Sequence, residues 1–288
     1  MYVWNETVAS RGSVEIGSCL LKYLETYVFP LPKQPAKLKI FADNCGGQNK
    51  NVTLVMLLLR LVHAGHFQRI ELCYLVSGHS YMACDRAFGV IERELRNNEI
   101  ITSIPVYMFL IANSRKTNKG RYPLYSMKRE DFLNFSTLAK FAVKRFAGGR
   151  AFSSAAVIGV TSEYNVGYFV KENYDVPDQE ATRVSLARQG HALDLSSVQI
   201  PPMYEHARKI DRDKLQDLKD LSQYIGTVEG MWVRDIIQTQ KELYDVQLKE
   251  PPTQEQLEVP DDPHSDQIYD YESVRRQDPS APGPSGGQ

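Results

Sequence analysis

One stretch of the chain decides the fold: Leu38-Lys-Ile-Phe-Ala-Asp43-Asn-Cys-Gly-Gly-Gln-Asn-Lys-Asn51. Residues 40–42 predict a short buried strand, the two glycines permit a turn with positive φ, and residues 53–62 predict an apolar helix. Asp43 therefore lies where a strand ends, and ligands collect at that edge in open α/β sheets. The alternative is that Asp43 and Asn44 satisfy backbone groups of a turn or a helix cap.

A second strand–loop–helix arrangement follows the first. Residues 70–76 predict another apolar strand, and it leads into Ser77-Gly-His-Ser-Tyr-Met-Ala-Cys-Asp85-Arg-Ala-Phe-Gly-Val-Ile-Glu92. On a helix that begins near Asp85, residues seven apart share a face and lie roughly 10 Å apart along the axis. We therefore expect Asp85 or Glu92 to approach Asp43. The alternatives are a helix cap for Asp85 and a solvent-facing position for Glu92.

Three segments carry a resemblance to a known family: residues 4–21, 43–51 and 78–92. There the chain resembles the transposon-derived RNase H-like domains, of the DDE-type transposase or integrase-like class, of uncharacterised animal proteins (DUF7869-like). The resemblance implies an α/β fold with an RNase H-like mixed sheet flanked by helices. It also implies truncation at the N-terminus and a C-terminal α+β extension.

The resemblance implies a catalytic site of converging carboxylates. Phosphoryl transfer in that superfamily uses two divalent cations about 4 Å apart, and hard Mg²⁺ or Mn²⁺ suits oxygen ligands. Asp43 matches the family's second acid, Asp85 matches the third with Glu92 as its alternate, and Asp43 and Asp85 would be the metal ligands. The strand with the first acid is missing, because residues 1–4 supply one strand where the plan needs three, and Glu6 is a poor substitute. The chain is thus expected to be a degenerate relic or an incomplete gene model.

The polar residues around these acids receive lesser roles by the same resemblance. Three amides would orient ligands or touch the nucleic-acid backbone: Asn44, Gln48 and Asn49. Lys50 would face a phosphate, and His79 would shape the loop before Asp85 or contact a phosphate. Two other chemistries have weaker support. A zinc site lacks any Cys-x-x-Cys pair, and a Cys45–His79 hydrolase needs an activated thiol that no sequence shows.

The net charge of -1 hides a strong asymmetry along the chain. Residues 115–150 hold ten Lys or Arg residues against Glu130 and Asp131, with aromatic residues between them. Such a composition suits phosphate contact and base stacking. With Lys50, the predicted nucleic-acid-binding residues are Arg115, Lys116, Lys119, Arg121, Lys128 and Arg129. The alternative is a solvated helix face with a buried aromatic stripe.

The chain divides into three regions. Its 288 residues, 42% hydrophobic, can bury a substantial core. Residues 1–112 form the incomplete RNase H-like core, and residues 113–249 form a basic α+β extension of the same unit. In residues 250–288, nine Asp or Glu residues stand against two Arg residues, and such a segment buries too little apolar surface to fold. This last region is expected to be a disordered acidic tail.

These observations predict a transposase-derived domain whose ancestral activity is metal-dependent DNA strand cleavage and transfer, degenerate in this chain. The alternative is a non-catalytic nuclear scaffold that binds nucleic acid or protein. An active form would need Mg²⁺ or Mn²⁺ and would have DNA as its partner, and no small-molecule cofactor is expected. No membrane span is expected either, because the most apolar run, residues 53–62, is far shorter than the ~20 residues a span needs. The N-terminus lacks signal-peptide features, so the expected location is intracellular, in the nucleus rather than the cytoplasm.

Overall fold

The computed structural model describes residues 1–44, 48–75, 81–98, 101, 103–115, 120–142, 149–188, 192–226 and 230–247. The described residues contain these strands: β1 (Tyr2–Val3), β2 (Lys37–Ala42), β3 (Arg69–Tyr74), β4 (Tyr125–Ser126), β5 (Val157–Thr161), β6 (Tyr164–Lys171) and β7 (Thr182–Ser185). They contain these α-helices: α1 (Ser13–Tyr23), α2 (Val52–His63), α3 (Ala83–Arg96), α4 (Ile104–Asn113), α5 (Gly149–Ser154), α6 (Arg212–Ser222) and α7 (Met231–Gln247). A π-helical turn, Leu24–Val28, continues α1, and 3₁₀ segments span Arg129–Asp131 and Phe135–Phe141.

The predicted apolar helix is α2, and eight of its twelve residues are buried. Asn51 begins the helix, because its side-chain oxygen accepts a hydrogen bond from the Thr53 amide at 2.8 Å. A helix that is apolar on nearly every side needs cover all round. The sheet covers one side of α2, and α1 with the segment Phe135–Phe141 covers the others.

The main sheet has five strands in the order β2-β3-β5-β6-β7. β2 and β3 are parallel, with Lys37 opposite Arg69 and Ala42 opposite Tyr74, and α2 connects them. The remaining neighbours pair antiparallel. The chain is therefore a mixed α/β protein with a mixed sheet flanked by helices, as the sequence predicts. Residues 157–160, 166–170 and 182–186 predict strands of a small β-rich region, and β5, β6 and β7 form there. They are not a separate region, because β5 pairs with β3.

The predicted N-terminal strand forms, but outside the main sheet. β1 pairs in parallel with β4 as a separate two-stranded sheet. The Tyr2 and Tyr125 rings lie 5.8 Å apart, and the Met127 amide donates to the Val3 carbonyl at 2.9 Å. Trp4 packs edge-on against the buried ring of Phe132 at 5.3 Å. These contacts hold β1 away from β2, so β2 is an edge strand among the described residues.

The C-terminal helices, the aromatic stripe and the acidic tail are compared with the structure in turn. Residues 211–221 and 233–248 alternate charged residues with Leu, Ile and Val at helical spacing, which predicts amphipathic helices, and α6 and α7 form there. In the predicted aromatic stripe and its neighbours, Phe132, Phe135 and Leu138 are buried, but Phe135 and Leu138 lie on a 3₁₀ segment and not on a long α-helix. The predicted acidic tail lies outside the described residues. Within the described ranges, no helix is long and apolar enough to cross a membrane.

The burial of α2 predicts the effect of a core truncation. Leu58 is 1% exposed, so Leu58→Ala should lower the free energy of unfolding by about 2–5 kcal/mol, because it removes buried methyl groups and leaves a cavity. Leu221→Ala is the matched control, since Leu221 is 56% exposed on α6. Urea denaturation measures both changes. Equal stability of the two variants would contradict the placement of α2 in the core.

Candidate functional site

Asp43 lies immediately after β2, at the carboxyl end of the strand, as the sequence predicts. Its carboxylate is exposed and accepts a hydrogen bond from the Asn49 side-chain amide. Gln48 points its side-chain amide toward the Arg11 carbonyl, 3.4 Å away. The structure therefore brings together Asp43 and Asn49 on one loop and ties that loop to the segment before α1. Asn44 is exposed beside Asp43.

Lys50 has a different environment from the predicted one. Its residue is only 8% exposed, and its ammonium donates to the Ser153 carbonyl at 2.8 Å. The ammonium also lies 4.8 Å from the centre of the Tyr74 ring, and burial lowers the pKa of this lysine. The Tyr74 hydroxyl in turn donates to the Asn49 carbonyl at 3.1 Å. In this structure, Lys50 fixes the end of the loop against the fold and does not face solvent phosphate.

Asp85 begins α3 by accepting a backbone hydrogen bond. Its carboxylate accepts from the Met82 amide at 2.6 Å, and the third position of a helix is where an acid completes such a cap. The partial positive charge at the helix N-terminus adds to this stabilisation. The geometry is that of the alternative considered for Asp85 from the sequence, a helix-capping role. The cap uses an oxygen that a metal would otherwise take.

Glu92 also has a local partner. Its carboxylate accepts from the Arg96 guanidinium at 2.6 Å, one turn later on α3, and both side chains are largely exposed. This is an ordinary i,i+4 ion pair on a helix surface. Asp43, Asp85 and Glu92 thus each have a separate local hydrogen-bond partner among the described residues.

The donor set can be compared with what Mg²⁺ or Mn²⁺ needs. Among the described residues, no group of three or more His, Cys, Asp or Glu side chains could hold a metal ion. A two-metal site needs several carboxylates converging on one point. One exposed carboxylate at Asp43 and a capping carboxylate at Asp85 do not supply that set. The described residues therefore do not fit the metal pair that the family resemblance implies.

Residues 4–21 contain a buried carboxylate that the sequence analysis did not single out. Glu15 is 2% exposed and accepts from the Gly12 amide at 2.8 Å. It also accepts from the Tyr204 hydroxyl, which itself accepts from the Ser10 amide at 3.1 Å. Burial, with the hydrogen bond to Glu15, raises the pKa of Tyr204 to about 12. The signal that could have found Glu15 is an acid three residues after Gly12 at the start of a helix.

The hydrogen bonds that join Glu15 to Gly12 and Tyr204, called here the Glu15 clamp, fix the start of α1 near the candidate site. The Glu15–Tyr204 contact holds the start of α1, and Arg11 lies one residue before Gly12, exposed and next to Gln48. Arg11, an exposed cation, thus lies with its backbone carbonyl against the Asp43 loop, whereas Lys50 is turned inward. Arginine presents donors in a fixed fork that matches phosphate oxygens.

The predicted nucleic-acid-binding residues are only partly described. Arg121 and Lys128 are exposed, and Arg115 and Arg129 are half-buried. The Arg115 guanidinium lies 5.4 Å from the centre of the Tyr122 ring. Three residues with predicted roles lie outside the described ranges: His79, Lys116 and Lys119.

Asp131, one of the two acids in the basic segment 115–150, forms an ion pair with a lysine from outside that segment. The Lys22 ammonium forms an ion pair with Asp131 at 2.9 Å and lies 5.1 Å from the centre of the exposed Tyr125 ring. The hydrogen bond to Asp131 raises the pKa of Lys22, so this lysine stays charged. The ion pair offsets the charge of Asp131. The surface around β4 is therefore more basic than the number of charged residues in 115–150 indicates.

Comparison with known proteins gives one match. A family model described as a domain of unknown function (DUF7869) matches residues 1–129. The three segments that carry the family resemblance all lie inside that range, which supports an uncharacterised domain of this type. No curated protein and no solved structure matches the chain.

The capping geometry of Asp85 predicts a stability effect. Asp85→Ala removes the acceptor for the Met82 amide and should lower the free energy of unfolding by about 0.5–2 kcal/mol, as loss of a helix cap does. Asp85→Asn keeps an acceptor oxygen and should lose less. Glu92→Ala is the control, since an exposed i,i+4 pair is worth about 0.3–0.5 kcal/mol. Unchanged stability of Asp85→Ala in urea denaturation would show that the carboxylate is free for another role.

The Glu15 clamp predicts a second effect. Tyr204→Phe leaves a buried carboxylate without one donor and should lower the free energy of unfolding by about 1–3 kcal/mol. Tyr224→Phe is the matched control, because Tyr224 is 82% exposed. Thermal and urea denaturation compare the two variants. A Tyr204→Phe protein as stable as the control would mean that the clamp contributes nothing to the fold.

Proposed function

We propose that this chain is a transposase-derived, RNase H-like domain that binds nucleic acid without cutting it. The observation that carries the proposal is the use of the candidate acids in local structure. Asp85 caps α3 and Glu92 pairs with Arg96, which leaves Asp43 alone at the end of its strand. Asp85 and Glu92, which are catalytic residues in the ancestral enzyme under this proposal, would then contribute to the stability of α3.

The strand arrangement supports the RNase H-like part of the proposal. In that plan, the strand with the first acid lies beside the strand with the second. Asp43 would be the second acid, and its strand, β2, has no partner on its outer edge among the described residues. The position that the plan reserves for the first carboxylate therefore receives none from the described residues. Glu6 does not fill this position, because it follows β1, which pairs with β4, and its carboxylate forms an exposed ion pair with Lys214.

The missing carboxylates bear directly on activity. In a two-metal reaction, one cation activates the attacking oxygen and the other stabilises the leaving oxygen. A single exposed carboxylate binds Mg²⁺ weakly, since that ion keeps its waters unless several ligands replace them. We therefore assign no catalytic step to Asp43. Its carboxylate, with the amides of Asn44, Gln48 and Asn49, would remain as a polar surface near the nucleic acid.

The surface around β4 supports nucleic acid as the partner. It combines exposed cations at Arg121 and Lys128 with the Tyr122 and Tyr125 rings. Cations contact phosphates, and aromatic faces stack on bases without regard to sequence. Pairing of β1 with β4 makes this surface a fixed part of the fold. A nuclear location would follow from such a partner.

A protein-interaction scaffold is the second candidate, and the α3–α4 helix pair favours it. α4 carries no charged side chain, yet Ile111 is its one residue that is buried, and Phe109 is 61% exposed. Phe88 on α3 is 58% exposed. Exposed apolar side chains at this density are typical of protein-binding surfaces. In this second candidate function the fold is the same, and the binding partner is a protein and not a nucleic acid.

The proposal predicts salt-dependent DNA binding without cleavage. Fluorescence anisotropy with a duplex should show affinity that falls steeply as salt rises, because bound cations displace condensed counterions. Arg121→Ala and Lys128→Ala should each lower the slope of log affinity against log salt by about 1. Lys241→Ala, an exposed lysine on α7, is the matched control. Absent or salt-insensitive binding would favour the scaffold.

Activity is tested in the same samples. With Mg²⁺ or Mn²⁺ present, supercoiled plasmid should be nicked no faster by the native chain than by Asp43→Ala, because the described residues supply no group of three metal-binding side chains. Metal-dependent nicking that Asp43→Ala abolishes would overturn the non-catalytic part of the proposal and leave the DNA-binding part in place.

A further inference from the structure

The outer edge of β2 is an unpaired row of backbone donors and acceptors. The Ala36 carbonyl accepts from the Arg69 amide at 3.2 Å, and the Ala42 carbonyl accepts from the Leu75 amide at 3.0 Å. Backbone groups alternate in direction along a strand, so the even-numbered residues of β2 bond to β3. The amides and carbonyls of Lys37, Lys39 and Phe41 therefore point outward. Within the described residues, none of them has a backbone partner.

This edge has the side chains of a selective interface. Leu38, Ile40 and Ala42 pack against the core from the inner face, while Lys37 and Lys39 are exposed on the other face and Phe41 is 57% exposed. Lysines on an edge strand usually prevent unwanted pairing. Pairing is therefore favourable only where the residue of the added strand opposite each lysine is not itself a cation.

A second copy of β2 meets that requirement in one extended register. Two identical edges related by a two-fold axis pair antiparallel, and the outward residues of both must oppose each other. When Ile40 lies on the axis, Lys37 faces the partner's Asp43 and Lys39 faces the partner's Phe41. A shift toward the N-terminus sets Lys39, which Glu71 already pairs at 3.3 Å, against the partner's Lys39 and leaves Lys37 opposite the partner's Phe41, without an acid. A shift the other way sets Lys39 against the partner's Asp43 but shortens the ladder.

We propose that two copies of this chain associate through β2 to form one continuous sheet across a two-fold axis, with Lys37 paired to the partner's Asp43. The dimer completes the backbone hydrogen bonds of the edge and brings apolar side chains together on the inner face, Ile40 on the partner's Ile40 and Leu38 on the partner's Ala42. This inference goes beyond the proposed function and does not depend on nucleic-acid binding.

The dimer also gives Asp43 a new neighbour. The place beside Asp43 that an RNase H-like plan fills with an acid-bearing strand is taken by the partner's Lys37. An ammonium there attracts the Asp43 carboxylate and competes with a divalent cation for it. Self-association through β2 is thus compatible with a binding domain and incompatible with a two-metal site at the same edge.

A charge-exchange experiment tests the register. Sedimentation velocity of the full chain, over a wide concentration range, should show a monomer–dimer equilibrium. Lys37→Glu and Asp43→Lys should each raise the dimer Kd by about tenfold, since each change turns two attractive pairs into repulsive ones. The double variant should return the Kd to near its native value. Lys33→Glu, an exposed lysine ahead of β2, is the matched control and should leave the Kd unchanged.

A covalent trap tests the axis. In an antiparallel pair, opposite residues between the hydrogen-bonded pairs have Cα atoms about 4.5 Å apart, which is within disulfide reach. Ile40→Cys should therefore cross-link into a dimer on mild oxidation, whereas Leu31→Cys, exposed outside the strand, should not. Circular dichroism confirms that each variant is folded.

Three results would overturn the proposal. A chain that stays monomeric at every concentration excludes self-association, and the edge of β2 would then be free to pair with a strand of another protein. Rescue of Asp43→Lys by Lys39→Glu in place of Lys37→Glu excludes the register. A dimer that Phe109→Ser dissolves, while the charge variants of β2 leave it intact, places the interface on α4. DNA anisotropy of the same variants keeps this test separate from that of the proposed function.

Discussion

The burial of α2 is the constraint on which the rest of the structure depends. This helix is apolar round most of its circumference, so it is stable only when enclosed, and two walls enclose it. The sheet forms one wall, and α1 with Phe135–Phe141 forms the other. Gly17 allows the close approach of that second wall, because a Cβ there would lie 3.2 Å from Leu57 and Phe135. The same enclosure fixes β2 and β3 as parallel neighbours and sets Asp43 at the end of its strand.

Carboxylates near helix starts have a structural role at three places in this chain. Glu15, Asp85 and Asp131 each accept a hydrogen bond from the amide three residues earlier, at Gly12, Met82 and Lys128. A capping acid and a catalytic acid are the same residue type, often placed at the same strand–loop–helix junction. The two roles compete for the same oxygens. In this chain, the carboxylate of Asp85 accepts from the Met82 amide, which is the capping role.

Local patterns in the sequence predict much of this fold. The apolar run predicts α2, short runs rich in Val, Ile, Tyr and Phe bounded by turn residues predict β5 to β7, and the acid after a strand predicts the position of Asp43. Long-range pairing is not readable in the same way. Nothing local shows that β1 leaves the main sheet for β4, that β5 pairs with β3, or that Tyr204 reaches Glu15 from 189 residues away. Lys50 illustrates the limit, since its inward position depends on Ser153 and Tyr74, which are distant in sequence.

The central claim is that the candidate acids of this domain do not assemble a metal pair. Electron paramagnetic resonance of Mn²⁺ tests it most directly, because free Mn²⁺ gives a sharp six-line signal that binding broadens. We expect the free signal of a sample with Mn²⁺ and duplex DNA to stay unchanged when the native chain is added, and Asp43→Ala to give the same spectrum. A further loss of two Mn²⁺ per chain, with the broadening of a spin-coupled pair that Asp43→Ala removes, would show that the acids do assemble a metal pair.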